Sequence, residues 1–406
     1  MRKALLAGLL VLIGFVNPVW ADDQWDVSGQ IRHRFESDDK DFGNTKYTNF
    51  NLLRTRLNVL FSPTEGVTGF VQLQDSRVFG EETSTLSDGS ADNFDLHQGY
   101  IEVTDLFGAP LDLKLGRMEV IYGPQRLVGA VGWHNIGRSF DGVILTVRTK
   151  YVSADLFQFS EVDSLIVGDR GDKNFFGAYM DIHTTERYTN QVFLLWQRAV
   201  PSCRLNRYTF GFYSNGSFGG FYHETEFAYQ GGEITTAVKE DVEAFMAGLN
   251  LGYKAADVSF KPAGSIGVDF LSGDGDLTDD KFKVFDTLYA TNHKYYGFMD
   301  YFISIPANTF GRGLVDWHVR LSAKPQTDTT TKLAVHYFRS HKEETLSGGS
   351  TSKAFGTEAD LTVGYKYNDA LTLTGGASVF WPGDVFKEMR GDRTTAWFYV
   401  MTTLTI

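Results

Sequence analysis

The feature that most restricts this chain is a two-residue alternation that carries permanent charge on one parity. In the first run Trp25, Val27, Gly29, Ile31, His33 and Phe35 lie on one face, opposite Asp26, Ser28, Gln30, Arg32 and Arg34. The next run sets Leu53, Thr55, Leu57, Val59 and Phe61 against Arg54, Arg56 and Asn58. Period two puts each set on its own side of an extended strand. An unpaired guanidinium is costly in a dry core and fares little better in lipid. One face of these strands therefore needs water and the other an apolar medium. A transmembrane barrel with a wet lumen provides both.

The pattern continues. Val67, Gly69, Val71 and Leu73 oppose Gln72 and Gln74, and Gln98, Tyr100 and Glu102 alternate with Gly99, Ile101 and Val103. Further strand candidates fall near 111–120, 139–148, 151–160, 174–182, 190–197, 207–214, 218–229, 242–253, 260–271, 312–323, 331–339, 357–367, 370–380 and 395–406. With the first four these make about eighteen, mostly of a length that crosses a bilayer when tilted. Short connections such as Thr149-Lys150 and Asn368-Asp369 take turns with long ones such as 272–311 and 339–356. That sorting is expected of short periplasmic turns and long outer loops. The expected fold is all-β: a transmembrane antiparallel up-and-down barrel of about 18 strands. Its last strand has Ala396, Phe398, Val400, Thr402, Leu404 and Ile406 on one parity.

Residues 1–21 read as a signal peptide: Arg2 and Lys3 precede an apolar run from Ala4 to Val16 that is too short to span a bilayer, which takes about 20 residues, and Val19-Trp20-Ala21 follows. Residues 22–406 then form a single outer-membrane domain. Loss of Arg2 and Lys3 takes the formal charge from −12 to −14, which disfavours nucleic acid as a partner. Cys203 is the only cysteine, so no internal disulfide can form.

The stretch from Gly116 to Gly142, GRMEVIYGPQRLVGAVGWHNIGRSFDG, departs from the alternation. Leu127, Val128, Ala130 and Val131 need cover, while Arg117, Arg126 and Arg138 are suited to carboxylates or phosphates. Regular parity would carry Arg117 outward with Leu111, Leu113 and Leu115, so a bulge at Gly116 is expected to turn it inward. The pore-lining set is then Arg32, Arg34, Arg54, Arg56, Arg117, Arg126, Arg138 and Arg320, the last flanked on its own parity by Asp316 and His318. Glu224, Glu226, Glu358, Asp360 and Lys366 read as lumen-facing too.

Within that stretch Gly116-Arg117, Tyr122-Gly123, Gln125 to Gly129, Trp133, Asn135 and Gly137 to Gly142 resemble the signature region of the alginate-export family of outer-membrane porins. The segments Leu73 to Arg77, Ser272 to Asp274, Phe285 to Tyr289, His293, Gly297 and Asp300 to Phe302 are similar to it as well. The resemblance implies an 18-stranded barrel whose arginine-lined constriction passes a polyuronate, with loops folding over or into the pore.

The function expected is passive diffusion of an anionic solute, foremost an acidic polysaccharide such as alginate. A general or nutrient-uptake porin for small solutes is the alternative, and a structural barrel enclosing a partner protein comes third. Partners would be outer-membrane lipid and lipopolysaccharide, the solute, and periplasmic export components. Neither HExxH nor GxSxG occurs, and His97, His134 and His293 are scattered, so no enzyme, cofactor or catalytic residue is expected. Asp274, Asp276, Asp279 and Asp280 lack the glycine and distal glutamate of an EF-hand loop, so no metal site is read there.

Overall fold

A computed structural model describes residues 24–43, 47–81, 94–163, 171–185, 187–200, 204–235, 238–276 and 278–406. The segment 1–21 and Cys203 lie outside the described residues. Each long alternating run forms a strand: β1 (Trp25–Asp39), β2 (Thr48–Thr64), β3 (Val67–Val78), β4 (Phe94–Val103), β5 (Leu111–Met118), β6 (Phe140–Arg148), β7 (Val152–Val162), β8 (Asp172–Thr185) and β9 (Tyr188–Val200) make one half. The other half is β10 (Arg204–Phe218), β11 (Phe221–Thr235), β12 (Lys239–Lys254), β13 (Ala263–Leu271), β15 (Leu314–Gln326), β16 (Thr329–Thr345), β17 (Thr351–Lys366), β18 (Leu371–Pro382) and β19 (Thr395–Thr405). Neighbours in sequence pair antiparallel, and β1 pairs with both β2 and β19, so the eighteen long strands close a barrel. The two-residue β14 (Lys281–Phe282) adds to β12 in parallel from a loop. Among the described residues no helix is long and apolar enough to cross a membrane.

Closure leaves no strand edge unpaired, and the faces divide by parity as expected. Trp25, Val27 and Ile31 on β1 and Phe398 and Val400 on β19 are exposed on the outer wall. Arg32, Arg34, Arg54, Trp397 and Tyr399 face inward and are buried. The expected long loop over 339–356 is instead a strand extension, because β16 and β17 stay paired to Thr345 and Thr351.

Two connections turn into the barrel, 119–139 after β5 and 272–313 after β13. They pair with each other: Gly129 N donates to Tyr289 O and Tyr289 N to Leu127 O, both at 2.9 Å. These segments require a dry bed, so the lumenal parity is not uniformly polar. Phe157, Phe159 and Phe175 of β7 and β8 face inward with Phe140 and Tyr289. On the far side Phe302 lies 4.5 Å from Phe338 and 5.5 Å from Phe355, beside Phe386 of the short helix Asp384–Met389. The apolar residues that sequence left without cover are thus paired against a wall that is itself aromatic.

Gly116 does not mark a bulge. β5 keeps regular register with β4 and β6 through Gly116 and Arg117. The register shift sits one strand away, between β3 and β4, where Gln72 pairs Gln98 and Leu73 pairs Leu96 so that His97 is the extra residue. Gly116 is needed for another reason. Its φ is +131°, and a Cβ there would overlap the Gly99 carbonyl and sit 2.8 Å from Tyr100 Cα. Gly116→Val is expected to lose the strain-free geometry, at about 1–3 kcal/mol or more, and to lower the yield of heat-modifiable folded barrel. Gly364→Val, where a Cβ meets nothing within 4 Å, is the tolerant control.

Candidate pore constriction

The basic side is built by β1 and β2. Arg32 lies directly across from Arg54 and Gln30 from Arg56 in the strand register. Like charges facing each other repel, and the inward segment relieves this with carbonyl oxygens. Arg32 donates to the carbonyls of Gly132 at 2.7 Å and His134 at 3.1 Å. Arg34 donates to Trp133 O at 2.6 Å and stacks over the Trp133 ring at 3.9 Å. Arg54 reaches His134 O at 3.3 Å and Gln30 Oε1 at 2.8 Å, and Arg56 reaches Ile136 O at 3.2 Å.

Two of these cations have carboxylate partners: Arg34 with Glu36 at 2.7 Å and Arg56 with Glu119 at 3.1 Å. Arg32 and Arg54 hold neutral acceptors alone among the described residues. Carbonyl dipoles satisfy the N–H groups without cancelling the charge, so this side keeps a net positive field. His134 belongs to the inward segment, and burial, together with Arg34, Arg32 and Arg138 beside it, pushes its imidazole below the ordinary histidine range.

Arg126 stands against the opposite wall, about half way round the strand order. It is 2 % exposed, 2.6 Å from Asp269, 3.3 Å from Glu224 and 3.4 Å from Glu226, with its guanidinium 3.9 Å over the Tyr295 ring. Three carboxylates surround this cation, and Lys294 and Arg320 lie close by against Tyr295. Arg126 therefore anchors its segment to β11 and β13 and is enclosed by its partners. Arg138 joins the two inward segments, donating to Gly129 O at 3.2 Å, to Ala290 O at 3.3 Å and to Tyr289 O. Arg320 contacts Tyr295 O at 3.4 Å.

Arg117 is not in the lumen. It keeps the parity of Leu115, which is 41 % exposed on the outer face, and pairs with Asp141 through two 2.8 Å bonds and with Asp95 at 3.9 Å. Without a bulge nothing turns it inward. The structure thus gathers Arg32, Arg34, Arg54 and Arg56, sets Arg126, Arg138 and Arg320 on the inward segments or beside them, and leaves Arg117 outside.

Sequence reasoning passed over Arg207, which is buried 2.6 Å from Asp286. Its signal was present: it alternates with Tyr208, Phe210 and Phe212, which are exposed on the outer face. It also passed over the stack of Trp133 on His293, 4.7 Å apart, with His293 bonded to Asp300 at 2.7 Å. Ser139, His97 and Glu119 do come together, but not as a relay. Ser139 donates to the His97 carbonyl at 2.6 Å, and Glu119 and Arg56 both meet His97 Nε2.

A profile of the alginate export family matches residues 23–400. No curated protein matches the chain. Crystal structures of similar fold include OccK5 (OpdH) from Pseudomonas aeruginosa, 12% identical, with a TM-score of 0.60 over 95% of this chain and 98% of that one. A BenF-like porin from Pseudomonas fluorescens Pf-5 is 11% identical, with a TM-score of 0.62 over 95% and 99% of the two chains. OpdK from Pseudomonas aeruginosa, crystallised with vanillate, is 10% identical with a TM-score of 0.58 over 94% and 98%.

Proposed function

The chain belongs to the alginate export family and is a multi-pass β-barrel channel of the bacterial outer membrane; we propose that it passes an anionic solute, foremost an acidic polysaccharide such as alginate, by passive diffusion along an arginine-lined path. The observation that carries this reading is the pair Arg32 and Arg54, whose charge no carboxylate cancels among the described residues. A polyuronate presents one carboxylate per sugar. A carboxylate is a stronger acceptor than a peptide carbonyl for guanidinium donors, so it competes for the N–H groups that now hold residues 132–134. Several sites of moderate strength in series let a chain enter, advance and leave.

A second reading is uptake of small carboxylates, supported by the similarity in fold to OpdK, a structure that holds vanillate. The inward segments occupy lumenal space, which works against a barrel built to enclose a partner protein. Purified protein in planar bilayers separates the two main readings. Export of a polyuronate expects anion selectivity and a current block whose strength grows with oligouronate length. Block by monomeric carboxylates with no length dependence favours small-solute uptake. Cation selectivity with no block by either would sink the arginine path.

A further inference from the structure

A cluster of metal-ligand chemistry lies apart from the arginine path, in the lumenal wall formed by β15 and β16. We propose that Asp316, His318 and His336 bind one divalent transition cation of the zinc class. Asp316 and His318 are two residues apart on β15 and share its lumenal parity, and His336 pairs with His318 across the β15–β16 ladder. His336 Nδ1 is 2.8 Å and His318 Nδ1 3.5 Å from the same atom, Asp316 Oδ2. One ligand atom from each residue lies within 4.8 Å of the others. Donors around a tetrahedral ion with bonds of 2.0–2.1 Å sit about 3.3 Å apart, so small side-chain shifts complete such a site.

The second observation is what this cluster lacks. All three residues are buried, yet His318 Nε2 and Asp316 Oδ1 have no hydrogen-bond partner, and His318 Nδ1 has only the long 3.5 Å contact to Asp316. Buried polar groups are ordinarily satisfied, and a pocket that leaves several free together needs a reason. The Nε2 edge of the His318 ring is packed on Gly267, where any Cβ would overlap it. That packing leaves Nδ1 as the nitrogen directed at the carboxylate. On the next strand Glu358 pairs with His336 and brings a second carboxyl group to the same row.

Two imidazoles and a carboxylate suit zinc and its neighbours; calcium and magnesium favour all-oxygen sites. The cluster lies beneath the second inward segment, since Glu358 accepts from Met299 N at 2.8 Å. A cation held there would stiffen the wall under that segment and would not be cargo. This inference does not rest on the identity of the solute.

The test uses the full chain extracted in detergent, stripped with EDTA and titrated with zinc chloride by calorimetry and with cobalt chloride by visible absorption. One equivalent of zinc is expected, with cobalt d–d bands of the intensity that four- or five-coordinate sites give. His318→Gln and Asp316→Asn should each weaken binding at least tenfold, while Asp276→Asn, at an exposed position, should leave it unchanged. Heat-modifiable migration on gels reports folding of each variant. Where these do not fold, Gly267→Ala crowds the His318 ring from the adjacent strand and should weaken binding too. Absence of stoichiometric binding, equal affinity in the folded ligand variants, or loss in Asp276→Asn would overturn the site and leave an ordinary Asp–His hydrogen bond.

Discussion

Replacing Arg32 and Arg54 together by glutamine is expected to abolish anion preference, taking the chloride-to-potassium permeability ratio to unity or below. Both residues face the lumen on paired strands, and neither has a carboxylate hydrogen-bonded to it among the described residues. A charge-assisted hydrogen bond contributes about 1.5–3 kcal/mol. Losing two should weaken oligouronate block by roughly 100-fold or more, since about 1.4 kcal/mol is tenfold. Glutamine keeps an N–H donor for the carbonyls of Gly132 and His134, so the segment stays seated and selectivity is what changes. Reversal potentials in a salt gradient read the first effect and dose-dependent block the second. If the double variant conducts and selects as the parent does, the arginines only hold the loop.

Arg126→Leu is expected to act mainly on stability and on the open-channel current. Asp269 and Glu226 are buried, and without Arg126 neither has a cation at hand in the described lumen. Breaking one side of a buried ion pair costs about 3–5 kcal/mol. The 119–139 segment would come off the β11–β13 wall, raising conductance and current noise and lowering the temperature at which the barrel loses heat-modifiable migration. Adding Asp269→Leu and Glu226→Leu removes the stranded charges and should recover much of that loss. A single variant with the parent's quiet current and melting behaviour would show that the loop is held elsewhere.

These expectations differ between the paired wall arginines and Arg126 because the sequence spoke clearly about walls and poorly about loops. Alternation places Arg32 and Arg54 in the lumen without further information, since period two is a property of every strand. The strand count and the sense of the last strand were legible for the same reason. Arg117 was misjudged because a glycine within a strand is ambiguous: it permits a bulge, or it permits close approach of neighbours, and the backbone of Gly99 and Tyr100 decides for the second. The roles of Arg126 and Arg138 depend on partners such as Asp269 and Tyr289, more than 140 residues away. No local pattern contains that pairing. The aromatic bed at Phe157, Phe159 and Phe175 was hidden because an apolar parity alternating with Gln158 and Ser160 reads as the lipid face when it is in fact the lumenal one.

The joined inward segments also make the barrel a braced structure. A cylinder one chain thick resists lateral load poorly, because its cross-section flattens into an ellipse long before a hydrogen bond breaks. Here a tie runs from Arg32 and Arg34 on β1 through residues 132–134, along the segment to Arg126, and into Asp269 on β13. A second runs from Glu358 on β17 to Met299, and Tyr301 holds Thr395 on β19 at 2.8 Å. Arg138 clamps the two segments together where they meet. The aperture is then set by the length of its struts and not by the roundness that membrane pressure allows. A solute that displaces a strut would soften the whole ring as it passes, so permeation and barrel shape would be mechanically linked.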